Sequence, residues 1–187
     1  VVMDQSRAFD KIGNALLRGD VECAVNLFES EGFSANHFSP LSGRTLLSFA
    51  ADSDCPLFID FLISRGAAVD MRFDHRLNVN PSVTAGCTAL MFAGTFDTAQ
   101  KLIASGADPL ACDGNGVWVA FWLSRKMSPG AALAVLKNAV ERGLTEEVAS
   151  QLPGLLLRCE DVIARLGAVN KDIDTWKRLR SEIQSLK

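Results

Sequence analysis

The fold is decided by two related stretches, Gly43-Arg-Thr-Leu-Leu-Ser-Phe-Ala-Ala51 and Gly86-Cys-Thr-Ala-Leu-Met-Phe-Ala93. In each, a threonine precedes an apolar run, and its hydroxyl can accept a hydrogen bond from the backbone at the start of a helix. The leucines supply core side chains, and the small alanines let neighbouring helices approach closely. Each stretch therefore predicts a short helix that begins directly after its threonine.

The flanking sequence repeats this arrangement in short helical packets, each of which ends at a glycine. Gly32, Gly66 and Gly106 close three packets, and Gly143 closes a weaker fourth. Glycine suits the left-handed backbone conformation that often ends a helix. Helices of about two turns are too short to be stable alone in water. The packets must therefore stack on one another, which is typical of a solenoid.

The two opening stretches resemble the Gly-x-Thr-Pro-Leu-His-x-Ala-Ala opening of an ankyrin repeat, and the likeness covers roughly residues 13–143. The resemblance implies a mainly α-helical fold, an ankyrin-like α-solenoid of helix pairs with finger loops, in three to four divergent repeats. The Thr-Pro-Leu-His motif is nowhere intact. In the fourth packet, Trp118 stands where the capping threonine belongs.

Two spacings depart from that pattern. Gly106 follows Ala93 by 13 positions, whereas Gly66 follows Ala50 by 16, so we expect a shortened loop between the helices of the third packet. Conversely, 20 positions separate Gly66 from Gly86 where the family would use about ten. We therefore predict an insertion at about residues 72–84, in one of the finger loops.

The repeat pattern stops after Gly143, so we divide the chain into a repeat array, residues 1–144, and a C-terminal helical cap, residues 145–187. The last predicted helix carries apolar side chains on one face, at Ile173, Trp176, Leu179, Ile183 and Leu186. This stripe must be covered. It either closes the end of the solenoid or recruits a partner or a second copy.

Composition excludes several classes of protein. The chain has 187 residues, 48% of them hydrophobic, and a formal net charge of −3, which argues against a nucleic-acid binder. The charge is uneven, with 8 Lys and Arg against 14 Asp and Glu in residues 1–124, and 11 against 8 in residues 125–187. The longest unbroken apolar run, residues 117–123, is far too short for a membrane span. The five widely spaced cysteines are typical of a reduced protein, so we expect a cytoplasmic location. We also expect the protein to be a monomer.

The motifs of catalysis and metal binding are missing from the sequence. With only two histidines and no closely spaced cysteine pair, a zinc site is not supported. The turn that begins at Asp113 resembles a calcium loop, but its twelfth position is Ser124 rather than glutamate. We find no nucleophile with a nearby base, and we expect neither enzymatic activity nor a cofactor.

The resemblance implies binding of another protein or an acidic peptide on a concave face. The implied contact residues come from the fingers and the first helix of each pair, and are Arg44, Asp52, Ser53, Met71, Arg72, Phe73, His75, Arg76, Trp118, Trp122, Arg125 and Lys126. Five of the 19 cations fall in this set. They form either a cationic groove or merely a solvated surface.

Two further alternatives stay open. Trp118 and Trp122 lie four positions apart on one helical face, and they serve either core packing or partner binding. The chain itself is either a complete interaction module or the substrate-recognition domain of a larger enzyme or effector.

Overall fold

The computed structural model describes residues 2–39, 42–73, 86–166 and 172–186. These residues form ten α-helices and one 3-10 helix, and the described part of the chain contains no β-strand. The helices are α1 (Val2–Leu17), α2 (Val21–Ser30), α3 (Leu46–Asp52), α4 (Pro56–Ser64), the 3-10 helix (Ala89–Phe92), α5 (Phe96–Ala104), α6 (Val119–Arg125), α7 (Pro129–Arg142), α8 (Glu146–Ala149), α9 (Leu152–Leu166) and α10 (Ile173–Ser185). The expectation of a mainly helical fold is confirmed.

The helices contact one another in a regular order. One series of contacts runs from α1 through α3, the 3-10 helix and α6 to α9, and a second runs from α2 through α4, α5 and α7 to α10. Each helix of the first series also contacts the helix that follows it in the chain, which belongs to the second series. The short helix α8 lies between α7 and α9 in the chain and belongs to neither series. The buried side chains form one continuous cluster along both series.

The connections between paired helices share one backbone geometry. Gly19, Asp54 and Met127 adopt positive φ angles of 73°, 52° and 60° at equivalent places. The N–H of the next residue donates to the carbonyl five positions earlier at 2.9 Å in each case, in the pairs Asp20 to Ala15, Cys55 to Ala50 and Ser128 to Leu123. Three connections of different sequence therefore follow the same path.

The three glycine-closed segments are equivalent in the same way. Gly32, Gly66 and Gly106 have positive φ angles of 65°, 84° and 105°. The residue after each glycine donates to a carbonyl five positions earlier, in the pairs Phe33 to Phe28, Ala67 to Leu62 and Ala107 to Leu102. These bonds satisfy carbonyls that the end of a helix leaves open.

Side chains tie each closing segment to the next. The Asn36 Oδ1 accepts from the Ala68 N–H at 2.7 Å, while its Nδ2 donates to the Gly66 carbonyl at 3.2 Å. Asp70, four residues after its own glycine as Asn36 is, accepts from the Asp108 N–H at 3.1 Å. The same position thus makes the same bridge in two successive packets.

The third packet corrects one expectation. Its two helices are joined by three residues, 93–95, as many as join α3 to α4 at 53–55. The helix is what is short: four residues in the 3-10 helix against seven in α3. The prediction of a shortened loop is therefore wrong, because the residues that the third packet lacks are missing from its first helix and not from its loop.

The threonine caps are present at one position and absent at the other. The Thr45 Oγ1 accepts from the Ser48 N–H at 3.2 Å, so that cap is confirmed. Thr88 makes no side-chain capping bond, and its buried hydroxyl has no hydrogen-bond partner. α6 begins after Trp118 without a side-chain cap, as its sequence indicates.

The apolar stripe of α10 is covered within the chain. Ile173, Trp176, Leu179 and Ile183 are all buried, and α10 contacts both α7 and α9. Lys177 and Arg178 lie on its exposed side. The division at residues 144 and 145 stays a prediction.

Candidate partner-binding surface

The first series of helices exposes a continuous set of side chains, which we call the inner-helix surface. It comprises Asp10, Asn14 and Leu17 of α1, Phe49, Asp52 and Ser53 at α3, and Phe121, Trp122, Arg125 and Lys126 at α6. A cavity of about 290 Å³ lies between α1 and α3, bounded by residues from both helices. The Leu17 side chain beside it is 73% exposed. The surface offers an apolar contact next to polar groups.

Asp52 organises the centre of this surface. Its Oδ2 accepts from the Arg44 Nη2 at 3.0 Å, and its Oδ1 accepts from the Lys126 Nζ at 2.6 Å. The Arg44 Nη2 also donates to the Ser48 carbonyl at 3.1 Å. One carboxylate therefore holds a cation from the loop before α3 and another from the end of α6.

Aromatic rings support both cations. The Arg44 Cζ lies 4.2 Å from the ring centroids of both Phe49 and Phe92, and the Lys126 Nζ lies 4.5 Å from that of Phe92. A cation over a ring face is attracted by the negative potential of the π system. Burial lowers the pKa of Arg44, whereas the Asp52 carboxylate raises it. An arginine guanidinium stays charged in proteins at neutral pH.

The short 3-10 helix explains why the network can form. Asp52 is the last residue of α3, and Lys126 directly follows α6, so the two occupy corresponding helix ends. The 3-10 helix between them ends about one turn sooner and leaves Phe92 beneath them. The Lys126 side chain reaches across it to Asp52, 74 positions away in sequence. The sequence pattern predicted these residues individually, but not their contact.

The structure corrects three of the expected contact residues. Trp118 is 0% exposed, and its Nε1 donates to the Pro109 carbonyl at 2.8 Å. Phe73 is 4% exposed and packs against Phe92, with ring centroids 5.2 Å apart. The Arg44 side chain is only 13% exposed. None of the three can be a main contact for a partner, because the core or the Asp52 network already holds them.

Trp122 has an intermediate position. It is half-buried, and its Nε1 donates to the Asp113 Oδ2 at 2.8 Å. The other Asp113 oxygen accepts from the Asn115 and Val117 N–H groups at 2.8 and 2.9 Å. Trp122 therefore supports a finger loop and leaves only part of its ring for a partner.

The remaining expected residues differ in availability. Arg125 is exposed, and Ser53, Met71 and Lys126 are partly so. Arg72 is exposed, yet its Nη1 donates to the Gly86 and Cys112 carbonyls at 2.9 and 2.8 Å, which ties two fingers together. His75 and Arg76, with most of the predicted insertion, lie outside the described residues.

The cationic groove is thus partly neutralised. Asp52 pairs with two of the five cations in question, Arg44 and Lys126. In the described part of the chain, Arg125 and Arg72 remain as exposed cations of that set.

Sequence reasoning missed the residues that hold the surface in shape. Phe92 lies under both cations, and Gln151 bonds the start of α6. The Gln151 Oε1 accepts from the Trp118 N–H at 2.9 Å, and its Nε2 donates to the Gly116 carbonyl at 2.8 Å. Gln151, which lies 33 positions after Trp118 and 35 after Gly116, thus holds the uncapped helix start in place. The absence of a capping hydroxyl at Trp118 was the one sequence signal that such a group was needed.

Three of the five cysteine thiols, those of Cys87, Cys112 and Cys159, have environments that oppose reactivity. Burial raises the pKa of Cys87 and Cys159 to about 12, and burial with the nearby Glu147 raises that of Cys112 to about 11. These thiols stay protonated at neutral pH, whereas nucleophilic attack needs the thiolate.

Neither a metal-binding cluster nor a membrane-spanning helix is found among the described residues. Within them, no three His, Cys, Asp or Glu side chains gather in a metal-binding arrangement. None of the described helices combines the length and apolar content needed to cross a membrane.

Comparison with known proteins gives a partial match. No protein-family model matches the chain. Over 103 residues, 55% of its length, it is 32% identical to the E3 ubiquitin-protein ligase KEG of Arabidopsis thaliana. The match spans only 6% of the length of KEG. Because KEG contains ankyrin repeats, the match is consistent with an ankyrin-like domain and suggests, at most, a domain for protein interaction.

Proposed function

We propose that this chain is a protein-protein interaction domain, built as a divergent ankyrin-like solenoid of about four repeats with a C-terminal helical cap. The repeated connection geometry, the three equivalent glycine-closed segments and the two series of helix contacts support this fold. A stack of this kind presents an extended surface made by successive helices and fingers.

The inner-helix surface is the proposed contact region. The observation that carries the proposal is that this surface combines a bonded network with exposed side chains. Asp52 accepts from both Arg44 and Lys126, whose cationic groups lie over Phe92, while Leu17 and Arg125 are exposed. A surface whose side chains are already ordered loses less entropy on binding. The contact residues from the first helices that we retain are Asp52, Ser53, Trp122, Arg125 and Lys126.

The proposed partner is a protein segment that combines apolar and acidic residues. The exposed Leu17 suits an apolar side chain, and the exposed Arg125 suits a carboxylate. Met71 and Arg72, on the neighbouring finger, would extend the contact. Complementary charge at such a rim mainly speeds the encounter and selects the partner.

The test is quantitative affinity capture from an extract of the native source. The wild-type chain is compared with the double variant Leu17→Glu, Arg125→Glu and with the control Arg178→Glu, which changes an exposed arginine on α10. We expect proteins that the wild type and the control capture but the double variant loses. Equal capture by the wild type, the double variant and the control would contradict the proposed surface.

A second proposal is that the domain selects substrates for a larger enzyme. The partial match to a ubiquitin ligase favours this alternative, since the chain corresponds to a small part of that protein. The domain itself would then be non-catalytic. The mass of the full-length protein from the native source distinguishes the two proposals, because a mass near 20.2 kDa leaves no room for an attached enzyme.

The proposed location is cytoplasmic. All five cysteines are unpaired, which supports a reducing, cytoplasmic setting.

A further inference from the structure

The first two helices carry separated charges on an exposed face, which we call the N-terminal end face. On the α1 side it consists of Arg7, Lys11, Asn14 and Arg18, which follow one another at helical spacing and are all exposed. On the α2 side it consists of Asp20, Glu22, Cys23, Asn26, Leu27 and Ser30. The α1 side is therefore cationic, and the α2 side is acidic.

Two shallow cavities lie next to each other on this face and share Cys23 and Leu27 as a common ridge. One, of about 360 Å³, is bounded on its far side by Lys11, Asn14 and Arg18. The other, of about 510 Å³, is bounded by the acidic groups Asp20 and Glu22 together with Asn26 and Ser30. The ridge itself is half-buried and apolar. The face thus has a cationic hollow and an acidic hollow on opposite sides of an apolar line.

Within the described part of the chain, most of these charges lack an ion-pair partner. No ion pair of the described residues involves Arg7, Lys11, Arg18 or Glu22. By contrast, Glu29 on the other side of α2 is paired with Arg65 of the next packet. Unpaired charges of both signs in one face leave it open to a surface with the opposite arrangement.

We propose that the N-terminal end face binds a second copy of itself. α1 and α2 are joined by three residues and run in opposite directions, so Arg18 and Glu22 lie at the same end of the pair. Consider two copies related by a two-fold axis that runs along the Cys23 and Leu27 ridge, parallel to the helices. Residues at the same height along the helices then face each other, and the cationic side of one copy lies against the acidic side of the other. This arrangement sets Arg18 of each copy opposite Glu22 of the other, and the cationic hollow over the acidic one. A two-fold interface needs this kind of self-complementary patch.

The size of the face sets the strength of the association. It offers about ten residues a side, whereas a standard stable interface uses about 20–30. We therefore expect a reversible dimer with a dissociation constant in the range of tens of micromolar, and a monomer in dilute solution. Because the attraction is largely electrostatic, raising the salt concentration weakens it.

The test is a charge exchange measured by sedimentation equilibrium on the 187-residue chain at low ionic strength. Arg18→Glu and Glu22→Lys each place like charges opposite one another, so each variant alone should dimerise at least about ten-fold more weakly than wild type. An equimolar mixture of the two variants restores opposite charges at both contacts and should recover the wild-type affinity. The controls are Arg178→Glu and Glu160→Lys, on exposed positions of the C-terminal helices, which should leave the affinity unchanged.

A second measurement locates the contact. Cys23 lies on the ridge near the proposed axis, so a short bismaleimide should join two wild-type copies, and Cys23→Ser should abolish the product. A chain that stays monomeric at several hundred micromolar in low salt overturns the proposal, as does a dimer whose affinity neither variant alters. Either result leaves the proposed function intact, because apart from Asn14 the inner-helix surface consists of other residues, and neither Arg18 nor Glu22 belongs to it.

Discussion

At the scale of single residues, Thr45 and Thr88 show that one sequence position can have opposite energetic effects. Each precedes the first helix of its packet and is almost fully buried. Thr45 caps α3, whereas the Thr88 hydroxyl has no partner. A buried hydroxyl without a partner has lost its hydrogen bonds to water and gained none in return.

We therefore expect valine, which has the same shape, to act in opposite directions at the two positions. Thr45→Val should lower the free energy of unfolding by about 0.5–2 kcal/mol, the usual cost of a lost cap. Thr88→Val should raise it by about 1 kcal/mol, because the buried hydroxyl is removed. Urea unfolding followed by circular dichroism measures both. If Thr88→Val instead lowered the free energy of unfolding as much as Thr45→Val does, the Thr88 hydroxyl would have a partner, such as a bound water.

His37 gives the fold a dependence on pH. Its ring lies 4.8 Å from that of Phe33 and 6.2 Å from that of Phe9, and its Nε2 is buried without a partner. Burial lowers the pKa of His37 below 6.5. The unfolded chain therefore binds a proton more readily than the folded one, and His37 makes stability fall as the pH drops below about 6.5.

We expect His37→Phe to flatten that dependence, because phenylalanine keeps the ring contacts and cannot be protonated. The measurement is the free energy of unfolding between pH 7.5 and pH 5. Asp70 acts in the opposite direction, since burial raises the pKa of its carboxyl, and it is unchanged in the variant. The same slope in wild type and variant would assign the pH dependence to other groups.

At the scale of elements, the Asp52 network joins α3 to α6 across the short 3-10 helix. Arg44 is nearly buried, whereas the Lys126 side chain is 26% exposed. Loss of the carboxylate would leave a buried guanidinium without its counterion, and that is more costly than losing an exposed pair.

We expect Asp52→Asn to lower the free energy of unfolding by about 1–2 kcal/mol and Lys126→Met by less than about 1 kcal/mol. The double variant should cost less than the sum, because both changes break the same ion pair. Arg125→Met, at the neighbouring exposed position, is the matched control and should change stability little. Strict additivity of Asp52→Asn and Lys126→Met would mean that the two groups do not interact in solution.

At the scale of the whole molecule, stability depends on the stacking of neighbouring helices. Each helix contacts mainly the pair before it and the pair after it, so an exposed end weakens the units next to it. α10 covers α7 and α9 through four buried apolar side chains.

We expect a chain that ends at residue 171 to be strongly destabilised. Each fully buried apolar side chain contributes about 1.5–3 kcal/mol, against a total stability of about 5–15 kcal/mol for a typical domain. Hydrogen exchange should show protection lost first in α7 and α9, and last in α3 and α4. Arg178→Ala, on the exposed side of α10, is the control. Unchanged melting of the truncated chain would mean that α10 contributes little to the fold.

Features that depend on short-range bonds could be predicted from the residue pattern alone. The helix packets, the closing glycines and the Thr45 cap each rest on groups within about five residues, so local residue types specify them. The missing cap at Trp118 was readable for the same reason.

Features that depend on contacts between distant packets could not be predicted from local sequence. The burial of Trp118, the lost cap at Thr88 and the sharing of Asp52 between Arg44 and Lys126 all follow from how one helix lies against another. Removing about one turn from a single helix of the stack brings two side chains 74 positions apart into contact. No local pattern encodes that distance, because it is set by the summed packing of every unit between them.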